Sequence, residues 1–383
     1  MKSLIKKILI LTFICLLPAS KIFAEGKIRI GLVVPLSGEY SAIGDSIIKS
    51  TRLALNKIND EKFEIVPGDT KANPIDALKA SKKLYDQGIK IIIGPVFNES
   101  TKYLDELNDV TFISLTNKIY GNPPNVISAG VNAISQLQTI DKFRNLNEIQ
   151  RTIFLIPKSD YRKEIEQAIK KTKLKLKDKF FYDTDPTLLT AQIEKITRYP
   201  QRKQNLLDEI KRIEDSNLNN KEKKIENLKK RDTLGGINFD SVIIADFDES
   251  LKSVATSLLY TDVSSTRVSY ITLNQWFDDS LLKETSLQPL YFPSINKENY
   301  ESFKSEYKDA YQKNANQLSF LSYDLVGLVY FLVYSNDFNL DKNIFYKKNK
   351  FKGKIGIFEI DKNVITHQLN FYSIDKEKFI KIF

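Results

Sequence analysis

The chain has 383 residues, a formal net charge of +10, 42% hydrophobic residues and a single cysteine. This length is enough for two domains, each with its own core. A single cysteine excludes a disulfide framework and a cysteine-based metal site. Basic residues alternate with acidic ones and no basic-aromatic motif is present, so the composition does not indicate a nucleic-acid partner.

Residues 1–24 have the pattern of a secretory signal peptide. Lysines at positions 2, 6 and 7 precede an apolar run that is broken by Pro18, and Ala24 stands before an acidic residue. The run is too short for a typical membrane span, so we expect cleavage and export to the periplasm. An uncleaved anchor is the alternative, and a lipoprotein is not expected because Cys15 lies inside the apolar run. Cleavage would leave 54 basic and 48 acidic residues, a net charge of +6.

The chain after residue 26 alternates short β-branched segments with amphipathic ones. The first kind predicts buried strands and the second predicts helices. In chain order we expect a strand at 27–36, a helix at 45–60, a strand at 62–69, a helix at 74–88, a strand at 89–96, a helix at 99–109 and a strand at 110–116. Asp45 or Ser46 is the expected N-cap of the first helix.

A second series of the same kind begins near residue 151. We expect a strand at 151–160, a helix at 161–175, a strand at 178–183, a strand at 239–248, a helix at 249–261 and a strand at 267–275. Residues 321–335 predict a helix that is apolar nearly all round and therefore buried, and residues 354–374 predict two closing strands. Two such series predict an α/β fold of two doubly wound parallel-sheet lobes, with a hinge near residues 135–150.

Residues 187–231 interrupt the second series with a strongly charged stretch. Its apolar residues recur at helical spacing, at Leu206, Ile210, Ile213, Ile225 and Leu228. We expect two antiparallel helices that turn at residues 215–220 and project from the second lobe as a partner-binding arm. A solvated insertion without a partner is the alternative, because long surface insertions cost little.

The strand-end loops lack the motifs of common catalytic and nucleotide-binding sites. The glycines of residues 38–44 have the wrong spacing for a phosphate loop, and Asp45 stands where lysine is needed. No G-x-G-x-x-G follows a strand and no G-x-S-x-G occurs. His367 is the only histidine, and we expect it at the surface. With no other histidine and no cysteine after cleavage, catalytic triads and zinc sites are not expected. We therefore expect no enzyme, no cofactor and no metal.

Two pairs of acids are the remaining candidates for acid–base chemistry. Asp246 with Asp248, and Asp278 with Asp279, stand close together in the sequence, as a glycoside-type hydrolase would need. Closely spaced acids are more often solvated or capping groups. The hydrolase is therefore the third of three functional hypotheses.

Several long segments resemble the type I periplasmic binding proteins, the group of the leucine/isoleucine/valine-binding proteins. They include IGLVVPLSGEYSAIGDSIIKSTRLALNKIN, GDTKANPIDALKASKKLYDQGIKIIIGPVFNES and FISLTN. The resemblance implies two lobes, joined by three crossovers, that close on a ligand like a hinge. It assigns residues 27–143 and 288–341 to lobe 1, and residues 144–287 and 342–383 to lobe 2.

Within that superfamily the chain is most similar to the penicillin-binding-protein activators of alphaproteobacteria. The likeness rests on the charged hairpin, on Arg198 and Tyr199 before it, on the turn from Asp232 to Gly235 after it, and on the segment around Trp276. The resemblance implies a non-enzymatic regulator of peptidoglycan synthesis.

The resemblance also implies a set of cleft residues at strand ends: Ser41, Asn98, Glu99, Ser100, Thr116, Asn117, Tyr161, Asp246, Asn274 and Gln275. Amino-acid binders of the family place an acid for the ligand's ammonium group where this chain has Asn274 and Gln275. Glu99 would in turn face the ligand's carboxylate. We therefore expect weak binding of branched-chain amino acids, because an unpaired charge in a closed cleft is costly. Ordinary polar loop ends without a ligand are the alternative reading.

Two main functions follow. The first is a periplasmic regulator that docks on a peptidoglycan synthase. The alternative is the substrate-binding component of an ABC transporter for amino acids or another small solute, with an ABC permease as its partner. Neighbouring permease and ATPase genes would favour import.

Overall fold

The computed structural model describes residues 27–340, 342–361 and 364–383, and the predicted signal peptide lies outside them. The first elements are β1 (Ile28–Val34), α1 (Ser41–Ile58), β2 (Phe63–Asp69), α2 (Pro74–Tyr85), β3 (Ile91–Ile93), β4 (Thr111–Ser114) and β5 (Val126–Ser128). The strands form one sheet in the order β2-β1-β3-β4-β5, and every neighbouring pair is parallel. The predicted α/β class is confirmed.

Two local predictions in this lobe are wrong. α1 begins at Ser41, four residues before Asp45, so neither Asp45 nor Ser46 is its N-cap. Their side chains instead contact Lys49 and Ser319. Residues 98–107 form two short 3₁₀ helices instead of one α-helix. Leu104 and Leu107 are both buried, and their spacing of three matches the three residues per turn of a 3₁₀ helix.

Residues 133–294 supply most of the second lobe. Its elements are α3 (Ala133–Leu146), β6 (Thr152–Pro157), α4 (Arg162–Thr172), β7 (Asp178–Tyr182), α5 (Pro186–Thr197), α6 (Tyr199–Glu214), α7 (Lys221–Lys229), β8 (Ser241–Ile244), α8 (Asp248–Tyr260), β9 (Ser269–Thr272) and β10 (Leu290–Ser294). Strands β7, β6, β8, β9 and β10 are neighbours in that order and are all parallel.

The rest of the chain returns to the first lobe and then completes the second. It contains α9 (Lys297–Tyr311), α10 (Gln317–Tyr334), β11 (Asn349–Lys352), β12 (Ile357–Asp361), β13 (Val364–Gln368), β14 (Asn370–Asp375) and β15 (Lys378–Lys381). α10 packs along α1, where the hydroxyl oxygens of Ser46 and Ser319 lie 2.6 Å apart. α10 is long and apolar enough to cross a membrane, but most of it is buried in the protein, as predicted for a core helix.

The sheets correct the predicted lobe boundaries. The larger sheet has the order β15-β14-β10-β9-β8-β6-β7, so residues 290–294 belong to lobe 2 and not to lobe 1. α3 packs against α4 and β10, so the chain enters lobe 2 near residue 133 instead of residue 144. β11–β13 form a separate antiparallel sheet that packs on α10 of lobe 1, with the rings of Phe331 and Phe351 5.6 Å apart.

His367 is buried, contrary to the prediction that it lies at the surface; only 3% of it is exposed. Its position in β13 places it opposite Phe358, on the covered face of the small sheet. Its Nε2–H donates to the carbonyl of Ala129, 2.8 Å away, and its backbone N–H donates to Ser135 Oγ. Burial lowers the pKa of His367 to about 4. The histidine thus links β13 to the first crossover between the lobes.

Candidate ligand cleft and partner-binding arm

The cleft between the lobes holds two adjoining cavities. The lobe 1 cavity, of about 420 Å³, lies at the loops after β3 and β4, and the lobe 2 cavity, of about 550 Å³, lies at the loops after β8 and β9. Asn117, Val131 and Trp276 border both. These loops follow the carboxyl ends of parallel strands, where open α/β sheets bind ligands.

Most of the predicted site residues line these cavities. Those in the lobe 1 cavity are Asn98, Glu99, Thr116 and Asn117. Those in the lobe 2 cavity are Asn117, Tyr161, Asn274 and Gln275. The structure brings these side chains together, and their role in binding a ligand stays a prediction.

Three predicted residues do not line either cavity. Ser41 is the first residue of α1, and Ser100 is buried within a 3₁₀ turn. Asp246 accepts hydrogen bonds from the Tyr182 hydroxyl at 2.6 Å and from the Phe247 N–H at 3.0 Å. Burial raises the pKa of Asp246. Asp246 therefore supports the wall of lobe 2 from within and does not face the cleft.

The loop after β9 is held by hydrogen bonds from three directions. Asn274 Oδ1 accepts from the Trp276 N–H at 3.0 Å and from Ser294 Oγ at 2.7 Å. The Asn274 N–H donates to Gln136 Oε1 of α3 at 2.8 Å. These bonds tie the loop to β10 and α3, so the cleft wall is rigid where Asn274 meets it.

Gln275 and the two residues after it complete this wall. Gln275 Nε2 donates to Thr272 Oγ1 at 3.1 Å and to the carbonyl of Asp246 at 3.3 Å. Trp276 and Phe277 both have left-handed backbones, with φ of 49° and 58°. That conformation costs about 1 kcal/mol or more for a residue other than glycine. Strain of this kind is concentrated at ligand sites.

Several cleft residues were not predicted as ligand-binding, although Asp248, Asp278 and Asp279 were named as acid–base candidates. The additional side chains of the lobe 2 cavity are Gln136, Phe247, Asp248, Trp276, Phe277, Asp278, Asp279, Tyr300, Lys304 and Gln317. Asp278 caps the following turn by accepting from the Ser280 N–H at 2.9 Å, as expected of a capping acid. Asp248, Asp278 and Asp279 nevertheless line the cavity. Their positions directly after β8 and β9 were the signal that could have identified them.

The charged stretch forms a hairpin of α6 and α7, and we call these two helices the arm. Its turn occupies the predicted residues 215–220. Leu206 and Ile213 of α6 are buried, with 6% and 5% exposed, and Ile225 and Leu228 of α7 are partly buried. The predicted start at residue 187 is wrong, because α5 packs against α8 as a crossover helix of lobe 2.

The base of the arm is anchored by Arg202, which is buried. Its guanidinium donates to the carbonyls of Thr197, at 3.1 Å, and Thr261, and to Thr233 Oγ1 at 3.2 Å. The Leu234 N–H donates to the Arg202 carbonyl at 2.9 Å. The turn at residues 232–235 is therefore the second half of this anchor.

Most of the arm's surface is polar and its return helix is basic. α7 has no buried residue. Residues 221–231 carry two acids, Glu222 and Glu226, against six basic residues: Lys221, Lys223, Lys224, Lys229, Lys230 and Arg231. Such a helix has too little apolar surface to be packed into a lobe, so it is available to the solvent or to a partner.

No metal site is evident. Within residues 27–340, 342–361 and 364–383, no group of three histidine, cysteine or acidic side chains could hold a metal ion.

Comparisons with known proteins agree with this architecture. Residues 27–197 match the family described as periplasmic binding protein. The Leu/Ile/Val-binding protein BraC3 of Rhizobium johnstonii is 32% identical over 79 residues, and the match covers 19% of this chain and 22% of that relative's length.

Three solved structures share the fold over 93% of this chain. A Rhodospirillum rubrum protein, provisionally described as a branched-chain amino acid ABC transporter, is 13% identical, with a TM-score of 0.70 and all of its chain covered. The C-domain of LpoA from Haemophilus influenzae, a regulator of PBP1A, is 13% identical, with a TM-score of 0.61 and all of its chain covered. A Desulfitobacterium hafniense ABC transporter substrate-binding protein in complex with Leu is 14% identical, with a TM-score of 0.59 and all of its chain covered. This chain therefore has the fold of the type I periplasmic binding proteins, and its residues 27–197 match that family's model.

Proposed function

We propose that this protein is a non-enzymatic periplasmic regulator that activates peptidoglycan synthesis by docking its arm on a peptidoglycan synthase. The observation that carries the proposal is the arm itself, a polar hairpin mounted on lobe 2 through the buried Arg202. A solute receptor has no need of such an anchored projection to close around its ligand.

The build of the arm supports docking. Leu206 and Ile213 are buried in the arm, whereas Leu207 is 53% exposed on an outer surface that is otherwise mostly polar. The excess of basic residues on α7 favours a partner with an acidic surface, which would also speed association. The fold shared with the LpoA C-domain, which is described as a regulator of PBP1A, supports this role.

The arm can be tested by removing it. Residues 201–231 would be replaced by a short Gly/Ser linker, and the tagged protein would be used to capture partners from envelope extract. A variant with Lys223→Glu and Lys230→Glu tests the basic face, and Lys79→Glu with Lys83→Glu on α2 is the matched control. We expect the full chain and the α2 control to retain a peptidoglycan synthase, and both arm variants to lose it. Equal capture by the folded linker variant would refute the role of the arm.

The second candidate is the substrate-binding component of an ABC transporter. It is favoured by the two cleft cavities and by the fold shared with solute-binding proteins such as the D. hafniense protein in complex with Leu. Genes for a permease and an ATPase next to this one would support import. Tight binding of leucine would do the same.

A further inference from the structure

The lobe 2 cavity has an acidic lining in a protein that is basic overall. Asp248, Asp278 and Asp279 face one cation, Lys304. The ammonium group of Lys304 is already paired with Glu301, at 2.8 Å. Neither Asp248 nor Asp279 has an ion-pair partner within the described residues. Since the predicted mature chain carries a net charge of +6, this local excess of negative charge runs against the rest of the molecule and attracts cations.

Two buried amide groups present unpaired atoms to the cavity. Gln275 is 7% exposed, and its Nε2 faces carbonyl and hydroxyl oxygens, which fixes the orientation of the amide. Its Oε1 is left without a hydrogen-bond donor among the described residues. Asn274 is 4% exposed, its Oδ1 accepts two hydrogen bonds, and its Nδ2 has no acceptor in the same part of the chain. Neither atom is among the fully buried unpaired side-chain atoms of the described residues, so both are open to the cavity, where a ligand that both donates and accepts can reach them.

Aromatic rings form the remainder of the accessible wall. Tyr161, Phe247 and Trp276 line the cavity, and Phe247 has 38% of its surface exposed although it is a large apolar side chain. Aromatic faces bind organic cations through their quadrupoles. A hydrocarbon chain or ring that carries an ammonium group would therefore find both apolar and charged contacts here.

We propose that the lobe 2 cavity binds a protonated organic amine that lacks a carboxylate. Its N–H groups would donate to Gln275 Oε1 and pair with Asp248 and Asp279, and the organic portion would lie against Trp276 and Phe247. A free amino acid is less suited to this cavity because its carboxylate would meet the three acids, and the adjoining lobe 1 cavity offers Lys118 to a carboxylate but also contains Glu99. This inference rests on the cleft being a ligand site of the proposed regulator.

The test uses three probes of matched shape. 3-Methylbutylamine is leucine without its carboxylate, and 4-methylpentanoate is leucine without its amine. Trp276 is the only tryptophan of the chain and borders both cavities, so its fluorescence reports binding in the cleft, and the acid variants described next assign that binding to the lobe 2 cavity. We expect 3-methylbutylamine to bind at least tenfold more tightly than leucine and 4-methylpentanoate to bind least. Tighter binding of leucine or of 4-methylpentanoate than of 3-methylbutylamine overturns the proposal. A Kd for 3-methylbutylamine above about 10 mM, which is a binding free energy weaker than about 3 kcal/mol, overturns it as well.

The acids can be tested separately from the fold. Asp248→Asn with Asp279→Asn changes charge but not size, and we expect it to weaken amine binding about tenfold. Asp208→Asn, in the arm, is the matched control and should leave amine binding unchanged. Equal amine affinity in all three proteins would refute the role of the acids. Capture of the synthase by the arm does not depend on these substitutions, so failure of the amine experiment and failure of the proposed function are distinguishable.

Discussion

Substitution of Arg202 by alanine should loosen the base of the arm and destabilise lobe 2. The change removes hydrogen bonds to the carbonyls of Thr197 and Thr261 and to the hydroxyl of Thr233. Each buried group left without its partner costs about 1–3 kcal/mol. Asp262 lies 3.8 Å from Arg202 but also pairs with Arg267 at 3.0 Å, so it keeps a partner. The expected loss is therefore about 3 kcal/mol, near the lower limit for breaking a buried ion pair.

The assay is urea-induced unfolding followed by circular dichroism, with hydrogen exchange of α6 and α7 as a local measure. Arg212→Ala is the control, because Arg212 lies on the same helix but its exposed side chain pairs only with Glu209, at 2.7 Å. A surface pair of this kind contributes about 0–1 kcal/mol. We expect faster exchange in the arm of Arg202→Ala and no change in Arg212→Ala. Equal free energies of unfolding for the two variants would show that Arg202 is not the anchor.

Three further predictions concern pH and ligands. Burial holds the pKa of His367 at about 4, below its ordinary 6.5. Because the unfolded chain takes up a proton at higher pH than the folded protein does, wild type should lose stability relative to His367→Gln as pH falls from about 6.5 to 4. Parallel denaturant titrations at pH 7 and pH 5 would measure this loss. Burial raises the pKa of Asp324 from 3.8 to about 7, so wild type should lose stability relative to Asp324→Asn as pH rises through that interval. A difference in the free energy of unfolding between the two proteins that stays the same across this pH range would contradict the raised pKa. Leucine, isoleucine and valine should bind with a Kd at least two orders of magnitude above the sub-micromolar range, because their carboxylate would meet Glu99 and the acids of lobe 2. A sub-micromolar Kd for any of them in calorimetry would favour transport.

Alternation of strands and helices made the α/β class predictable from the sequence. β-branched runs such as Ile91–Ile93 can only be buried in a sheet covered on both faces. The lobe boundaries could not be derived in the same way. β10 pairs with β9, which precedes it, and with β14, about 80 residues later in the chain. Such long-range pairing has no local signature, so residues 290–294 were assigned to the wrong lobe.

The burial of His367 shows a second limit. Alternation in β13 puts His367 and Ile365 on one face of the strand, but the sequence does not reveal that this face is covered by Phe358 and the first crossover. The arm shows a third. Helical spacing and the turn residues identified α6 and α7, whereas Arg198 and Tyr199 entered only as part of the family resemblance and the anchor at Arg202 was not predicted. Arg198 has a left-handed backbone at the junction of α5 and α6, and Arg202, one turn later, carries the buried contacts.

The sequence predicted several residues that line the cleft, but it did not show which acids lie beside them. Strand-end positions located Asn274 and Gln275 correctly, and the absence of an acid there suggested that an ammonium group would lack a partner. Asp248 and Asp279 line the same cavity from neighbouring loops, and on the proposal above they are the partners of the ammonium group. Which loops converge depends on sheet order, and sheet order comes from pairing distant in sequence.

Regulation of a peptidoglycan synthase through the arm, as proposed here, should change the rate of that enzyme. The most direct measurement is the rate of glycan polymerisation by a purified periplasmic peptidoglycan synthase, with and without the mature protein, alongside the variant in which residues 201–231 are replaced by a Gly/Ser linker. We expect the full chain to raise the rate several-fold and the folded linker variant to leave it unchanged. A rate unaffected by the full chain at saturating concentration, or raised equally by both proteins, would contradict it.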